Sequence, residues 1–193
     1  MTRDDVHALM DDGLAELERA GALARVARQA HGNQPGDVPT NPRVARAFDD
    51  AADSYEVAID AAIEVYDREA STAFLGAALE ARSLMLTARL DAFRWRHEQI
   101  PGLGEYWSTP RYRISAAEAR RRLAAADVKQ RRNKYYYDGR EIRLPGYLVP
   151  TPLGSGLFGL LGLMSDEDGG KPNLWYIQVS REDISEAQRR GLR

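Results

Sequence analysis

The sequence predicts an α+β protein that is predominantly α. An N-terminal antiparallel helical bundle or long helical hairpin precedes a smaller α+β module containing a β-hairpin. Three observations carry this. Of the 28 alanines, 27 precede Asp127, whereas 11 of the 16 glycines follow Pro101; alanine is the best helix former and glycine among the worst. Apolar residues recur at steps of three and four through most of the first 100 positions, the period of a helix face. Beyond Pro101 that period gives way to turn residues and short strand-like runs. At 193 residues, 44% hydrophobic and 29% charged, the chain is large and apolar enough to build a core.

The first helix is expected over about 3–30. Thr2 and Asp5 have capping-box-like spacing, and Val6, Leu9, Met10, Leu14, Leu17, Leu23, Val26 and Ala30 make one apolar face. His31–Thr40 reads as a loop. Asn41-Pro42 restarts the helix, since Asn caps and Pro suits the first helical position. Helical character then runs to about Gln99, roughly 85 Å if unbroken at 1.5 Å per residue. Val44, Phe48, Ala51, Tyr55, Ala58, Ala62 and Val65 follow a near-heptad rhythm. A second series follows: Phe74, Ala78, Ala81, Leu84 or Met85, Ala88 and Trp95, with Leu75, Leu79, Leu86, Leu90 and Phe93 on another side. A break near Asp67–Gly76 gives helices over about 41–68 and 72–99; one continuous helix is the alternative.

In 101–193, Ser115 and Glu118 form a capping box for a helix over about 115–127. Lys129–Lys134 is a basic link. Strands are expected over about 135–137 and 141–149 around an Asp138-Gly139 turn, and over about 174–179, with a short helix over about 181–190.

Zero cysteine excludes disulfide frameworks, cysteine-ligated zinc and thiol nucleophiles. His7, His31 and His97 have no metal-binding spacing. Gly154-Ser155-Gly156-Leu157-Phe158-Gly159 matches GxGxxG, but only Leu160–Met164 separates it from the acidic turn Asp166–Gly170, leaving no room for the helix a dinucleotide site needs. No GxSxG elbow is present. No catalytic residue, cofactor or metal is therefore expected. The acidic opening MTRDDVHALMDDG is no signal peptide, and the apolar run Leu153–Met164 falls short of the ~20 residues of a spanning helix. The expected location is the cytoplasm, or a particle assembled there.

Charge is divided unevenly. Residues 1–100 hold 11 Lys/Arg and 18 Asp/Glu, residues 101–193 hold 16 and 11, and the basic excess concentrates in Arg111–Arg143. Such a division permits intramolecular docking, head-to-tail self-association or an anionic partner for the C-terminal part. Arg120, Arg121, Lys129, Arg131, Arg132 and Lys134 are candidate contacts to nucleic acid or an acidic protein, with Tyr135–Tyr137 beside them. Leu153, Leu157, Phe158, Leu160 and Leu161 are candidates for an apolar protein-contact loop.

Two short segments carry resemblances. Tyr112-Arg113-Ile114-Ser115-Ala116-Ala117-Glu118-Ala119 resembles the opening of winged helix-turn-helix proteins of the excisionase and MerR type over about 10 residues. It departs where those proteins turn tightly, because Leu123 and Val128 stand five apart with no glycine between them. Gly139–Pro150 resembles a GxxVxIxGYxVP strand pair of a small bacterial barrel-like domain and implies no activity. The expected role is a non-enzymatic structural or adaptor subunit of a larger protein assembly, such as a phage particle or similar machine, acting through protein partners or self-association. Nucleic-acid binding through 111–143 is the alternative.

Overall fold

The computed structural model describes residues 1–32, 40–100, 110–132, 134–137, 139–143, 148–154, 157–165 and 172–179. The expected short helix at 181–190 and the acidic turn Asp166–Gly170 lie outside the described residues. The chain forms two compact units, Met1–Arg96 and His97–Arg193. It is α+β and predominantly α, with helices first and antiparallel sheets after them.

The first unit holds α1 (Arg3–Ala30), α2 (Pro42–Glu69) and α3 (Thr72–Arg96). Thr2 caps α1 through a complete capping box with Asp5. The hydrogen bonds from the Thr2 backbone and side chain hold the Asp5 carboxyl below its ordinary pKa. Asn41 caps α2, accepting from the Arg43 and Val44 amides ahead of Pro42. Ala70, in the left-handed region at φ 51°, stops α2 and turns the chain into α3. The helices run up, down, up: the α1 terminus meets the end of α2 through Met1–Glu64 and Arg3–Glu69 ion pairs. At the other end the Asn41 amide donates to the Trp95 carbonyl at 2.8 Å.

The α2 face is buried along its whole rhythm, from Val44 through Tyr55 to Val65, and meets Ala78, Ala81, Met85, Ala88 and Trp95 of α3. Alanine on both helices allows a close seam. The α1 face differs from the expected one. Leu14, Leu23 and Val26 are exposed, and Gly13, Ala20 and Ala24 are buried instead. The cause is Tyr55, which is fully buried opposite Gly13: a Cβ there would lie 2.9 Å from the ring. A large partner side chain selects small residues on the facing helix; of the expected face, Val6 is buried and Leu9, Met10 and Leu17 pack against the core, whereas Leu14, Leu23 and Val26 turn outward. The Tyr55 hydroxyl is buried with no hydrogen-bond partner among the described residues. Burial, then the charges of Glu80 and Glu18, raise its pKa.

Outside that core, Arg89 of α3 meets Asp49, Asp53 and Glu56 of α2, and Arg96 also pairs with Asp49. Burial works against the Arg89 charge, but the hydrogen bonds and charges of Asp53 and Asp49 outweigh it and raise the pKa. Ser54 donates to Glu16 at 2.8 Å, tying α2 to α1.

The second unit contains β1 (Gln99–Ile100), β2 (Arg111–Ile114), α4 (Ala116–Ala125), β3 (Lys129–Arg131), β4 (Lys134–Tyr137), β5 (Arg140–Ile142), β6 (Val149–Gly154), β7 (Leu157–Ser165) and β8 (Pro172–Gln178). A five-stranded antiparallel sheet has the order β1-β2-β8-β7-β6, and a separate three-stranded sheet the order β3-β4-β5. Tyr112, Ile114, Val149, Leu157, Leu161, Ile177 and Val179 line one buried face of the larger sheet.

Several expectations for this unit are corrected. The strand expected over 141–149 is two strands in different sheets. Gln99, expected to end a helix, instead pairs in β1 together with Ile100. The basic link is the strand β3, and the segment read as a contact loop is a strand hairpin, β6–β7. Pro150 and Pro152 are tolerated because β6 is the sheet edge, where a missing N–H interrupts no inner ladder. Gly162 stands directly across from Tyr176, whose ring occupies the space a side chain would need; a Cβ would lie 2.4 Å from it. Gly159, of the GxGxxG match, similarly accommodates Ile177, 2.7 Å from an added Cβ. These glycines serve cross-strand packing.

Candidate functional site

Helix α4 starts on Ser115, which accepts from the Glu118 amide at 3.1 Å. Its end forms a Schellman motif. The Val128 amide donates to the Leu123 carbonyl and the Asp127 amide to Ala124, with Asp127 left-handed at φ 55°. Val128 and Leu123 are both buried, as the hydrophobic contact of that motif requires. The five-residue spacing that departs from the winged-helix pattern is thus the spacing of this cap. Where a second helix would follow, the chain enters β3.

Helix α4 sits against β6: Thr151 is fully buried and donates to the Arg122 carbonyl, and Arg122 donates to the Pro152 carbonyl, each at 3.3 Å. Arg122 also pairs with Glu118 at 2.6 Å. Arg120 is exposed, while Arg121 turns back onto Glu118. Arg111 leaves the basic surface altogether. It is 5% exposed, with its guanidinium 4.8 Å from the Tyr176 ring centroid and Nη1 3.5 Å from the Met164 sulfur. Burial lowers its pKa, and the nearby Tyr176 partly opposes that.

The smaller sheet gathers the remaining cations. Register places Lys129 opposite Tyr136 and Tyr136 opposite Glu141, while Gln130, Tyr135 and Ile142 form the neighbouring row. Alternation therefore gives this ribbon two unlike faces. One carries Gln130, Tyr135, Tyr137, Arg140 and Ile142: Ile142 is buried, and the Tyr135 ring meets Trp175 edge-on, centroids 6.3 Å apart. The other carries Lys129, Arg131, Lys134, Tyr136 and Glu141. Arg131 lies over the Tyr136 ring, 5.9 Å from its centroid, and Lys134 pairs with Glu141 at 2.8 Å. The hydrogen bond and charge of Glu141 raise the Lys134 pKa. At the β3–β4 turn, Arg132 is left-handed at φ 55°, a region that costs a side chain about 1–2 kcal/mol and that glycine or asparagine normally occupies.

The structure thus brings together Lys129, Arg131, Arg132 and Lys134 on one ribbon and places Arg120 and Arg121 on α4. The apolar candidates divide. Leu157 and Leu161 are buried in the sheet at 4% and 0% exposure, whereas Leu153 and Leu160 are half-buried and Phe158 is exposed. The second apolar series of the later helix is only partly buried. Leu75 and Leu79 of α3 are 41% and 60% exposed, four residues apart on one side of the helix. Their signal, a second apolar series beside the core series, is present in the sequence. Among the described residues, no group of three or more His, Asp or Glu side chains is arranged to hold a metal ion, and no helix is long and apolar enough to cross a membrane. The chain matches no protein-family model, no curated protein and no solved structure.

Proposed function

We propose that the protein is a non-enzymatic structural or adaptor subunit that works by self-association through its helical unit. The observation that supports this is the outer side of α3. Leu75 and Leu79 stand one turn apart and are both exposed, with Arg82 on the same arc, while Leu86 further along that arc already packs against the helical core. The spacing is that of a helix–helix seam with one polar position. A second copy presents the same stripe, so a two-fold pairing closes on itself without leaving a further open surface. The β6–β7 segment contributes less to this reading than its sequence suggests, because Leu157 and Leu161 are spent on the sheet core.

Sedimentation equilibrium on the full chain tests the proposal. The wild type is expected to approach the dimer mass with rising concentration, and a Leu75→Asp/Leu79→Asp variant to remain monomeric with unchanged helical content. A wild type that stays monomeric across the concentration range, or a variant that associates equally well, overturns it.

A further inference from the structure

We infer that the outer face of the β3–β4–β5 ribbon binds double-stranded nucleic acid through its phosphate backbone, without reading base sequence. This binding surface is separate from the helical self-association side. Three observations point to it. Residues 129–143 contain six Lys/Arg and two Asp/Glu. Among the described residues, only Lys134 of those six has an ion-pair partner: Lys129 and Arg131 are exposed and unmatched on the outer face, Arg132 at its turn and Arg143 just past β5, while Arg140, opposite Tyr137, belongs to the other face. Unpaired arginines such as Arg43, Arg46 and Arg120 occur singly elsewhere among the described residues, and Arg89, Arg96, Arg121 and Arg122 are paired with carboxylates, so what marks the ribbon is the clustering of its unmatched cations.

The second observation is Arg132. The turn between β3 and β4 places this large cation in the left-handed region, although glycine would relax it. The effect is to hold an extra positive charge at the ribbon tip, next to Arg131 and Lys134. Lys129 and Arg131 project from one face two residues apart, about 6.6 Å at 3.3 Å per residue. That separation is comparable to the distance between neighbouring phosphates along a strand.

The third observation concerns what the tyrosines do. Binding of single strands relies on exposed aromatic rings that stack on bases. Here Tyr135 packs against Trp175, Tyr137 shares its face, and the Tyr136 ring already carries Arg131. All three are half-buried. The ribbon thus offers cations to phosphates and no free stacking platform, and the denser charge of a duplex is the better match.

The test is fluorescence anisotropy of the full chain with a 20-base-pair DNA duplex (~20 because a backbone footprint of this size fits well within it), its scrambled-sequence counterpart, the single strand and poly-glutamate. Both duplexes are expected to bind equally and more tightly than the single strand. A slope of log affinity against log salt of about −3 to −4 is expected, corresponding to roughly four phosphates and a loss near 100-fold between ~50 and ~200 mM salt. Lys129→Glu/Arg131→Glu should weaken both duplexes at least tenfold. Arg132→Gly, which relaxes the turn, should remain folded yet reduce the slope by about one. Absence of duplex binding, tighter binding of single strand or poly-glutamate, a preference between the duplexes, or an Arg132→Gly variant with unchanged affinity and slope overturns the inference.

Discussion

Each unit seats a tyrosine ring against a glycine, and the two arrangements differ in what surrounds the ring. In the helical unit, Tyr55 fills the space over Gly13 between α1 and α2, and its hydroxyl has no hydrogen-bond partner among the described residues. In the second unit, Tyr176 crosses the β7–β8 ladder above Gly162, and the Arg111 guanidinium stacks on it. The units also use their surface cations differently. Arg89 faces three carboxylates across the α2–α3 seam, whereas Arg131 rests on a tyrosine ring with its charge unmatched. The same residue types therefore hold one unit together and leave the other cationic.

The largest expected effect separates the two glycines. Gly162→Ala should cost about 2–3 kcal/mol, because the Tyr176 ring is held between strands and cannot retreat. Gly13→Ala should cost less, about 1 kcal/mol, because the gain in helix propensity offsets part of the clash. Urea denaturation of each variant checks this, and equal losses would break the comparison.

Next come the arginines. Arg89→Ala should lower stability by about 1–2 kcal/mol, since the cation is only 20% exposed and its loss leaves three carboxylates facing each other. Arg131→Ala should change it by less than about 0.5 kcal/mol, as expected for an exposed cation. Comparable melting shifts for the two would show that the ribbon cations are structural after all.

One effect is of opposite sign. Tyr55→Phe removes a buried hydroxyl that lacks a partner and should raise stability by about 1 kcal/mol, read as a higher urea midpoint at unchanged slope. A loss would mean that the hydroxyl is satisfied in solution, for instance by a bound water.

The helices were largely legible because their signals are local. The rhythm from Val44 to Val65, the Thr2 and Asn41 caps and the Ser115 cap each act within a turn or two of helix. The sheets were less so. In Val149–Gly154 the two prolines fit either a break or an edge strand, and only its position in the sheet decides between them. For α1 the expected face was legible in part: Val6, Leu9, Met10 and Leu17 meet the core, but Leu14, Leu23 and Val26 are exposed while Gly13, Ala20 and Ala24 are buried.

For the candidate site, the clustering of cations between Arg111 and Arg143 was plain from the sequence, but their division was not. Arg111 is buried and Arg122 is bound to Glu118 and β6, whereas the ribbon keeps most of its described cations free of carboxylates. The sequence alone determined the helical half, its caps and the charge reversal, because propensity, capping and composition depend on neighbours close along the chain. Tertiary structure decided which glycine faces a tyrosine and which arginine meets a carboxylate. Those pairings join residues such as Arg89 and Asp49, 40 positions apart, whose meeting depends on how whole elements pack.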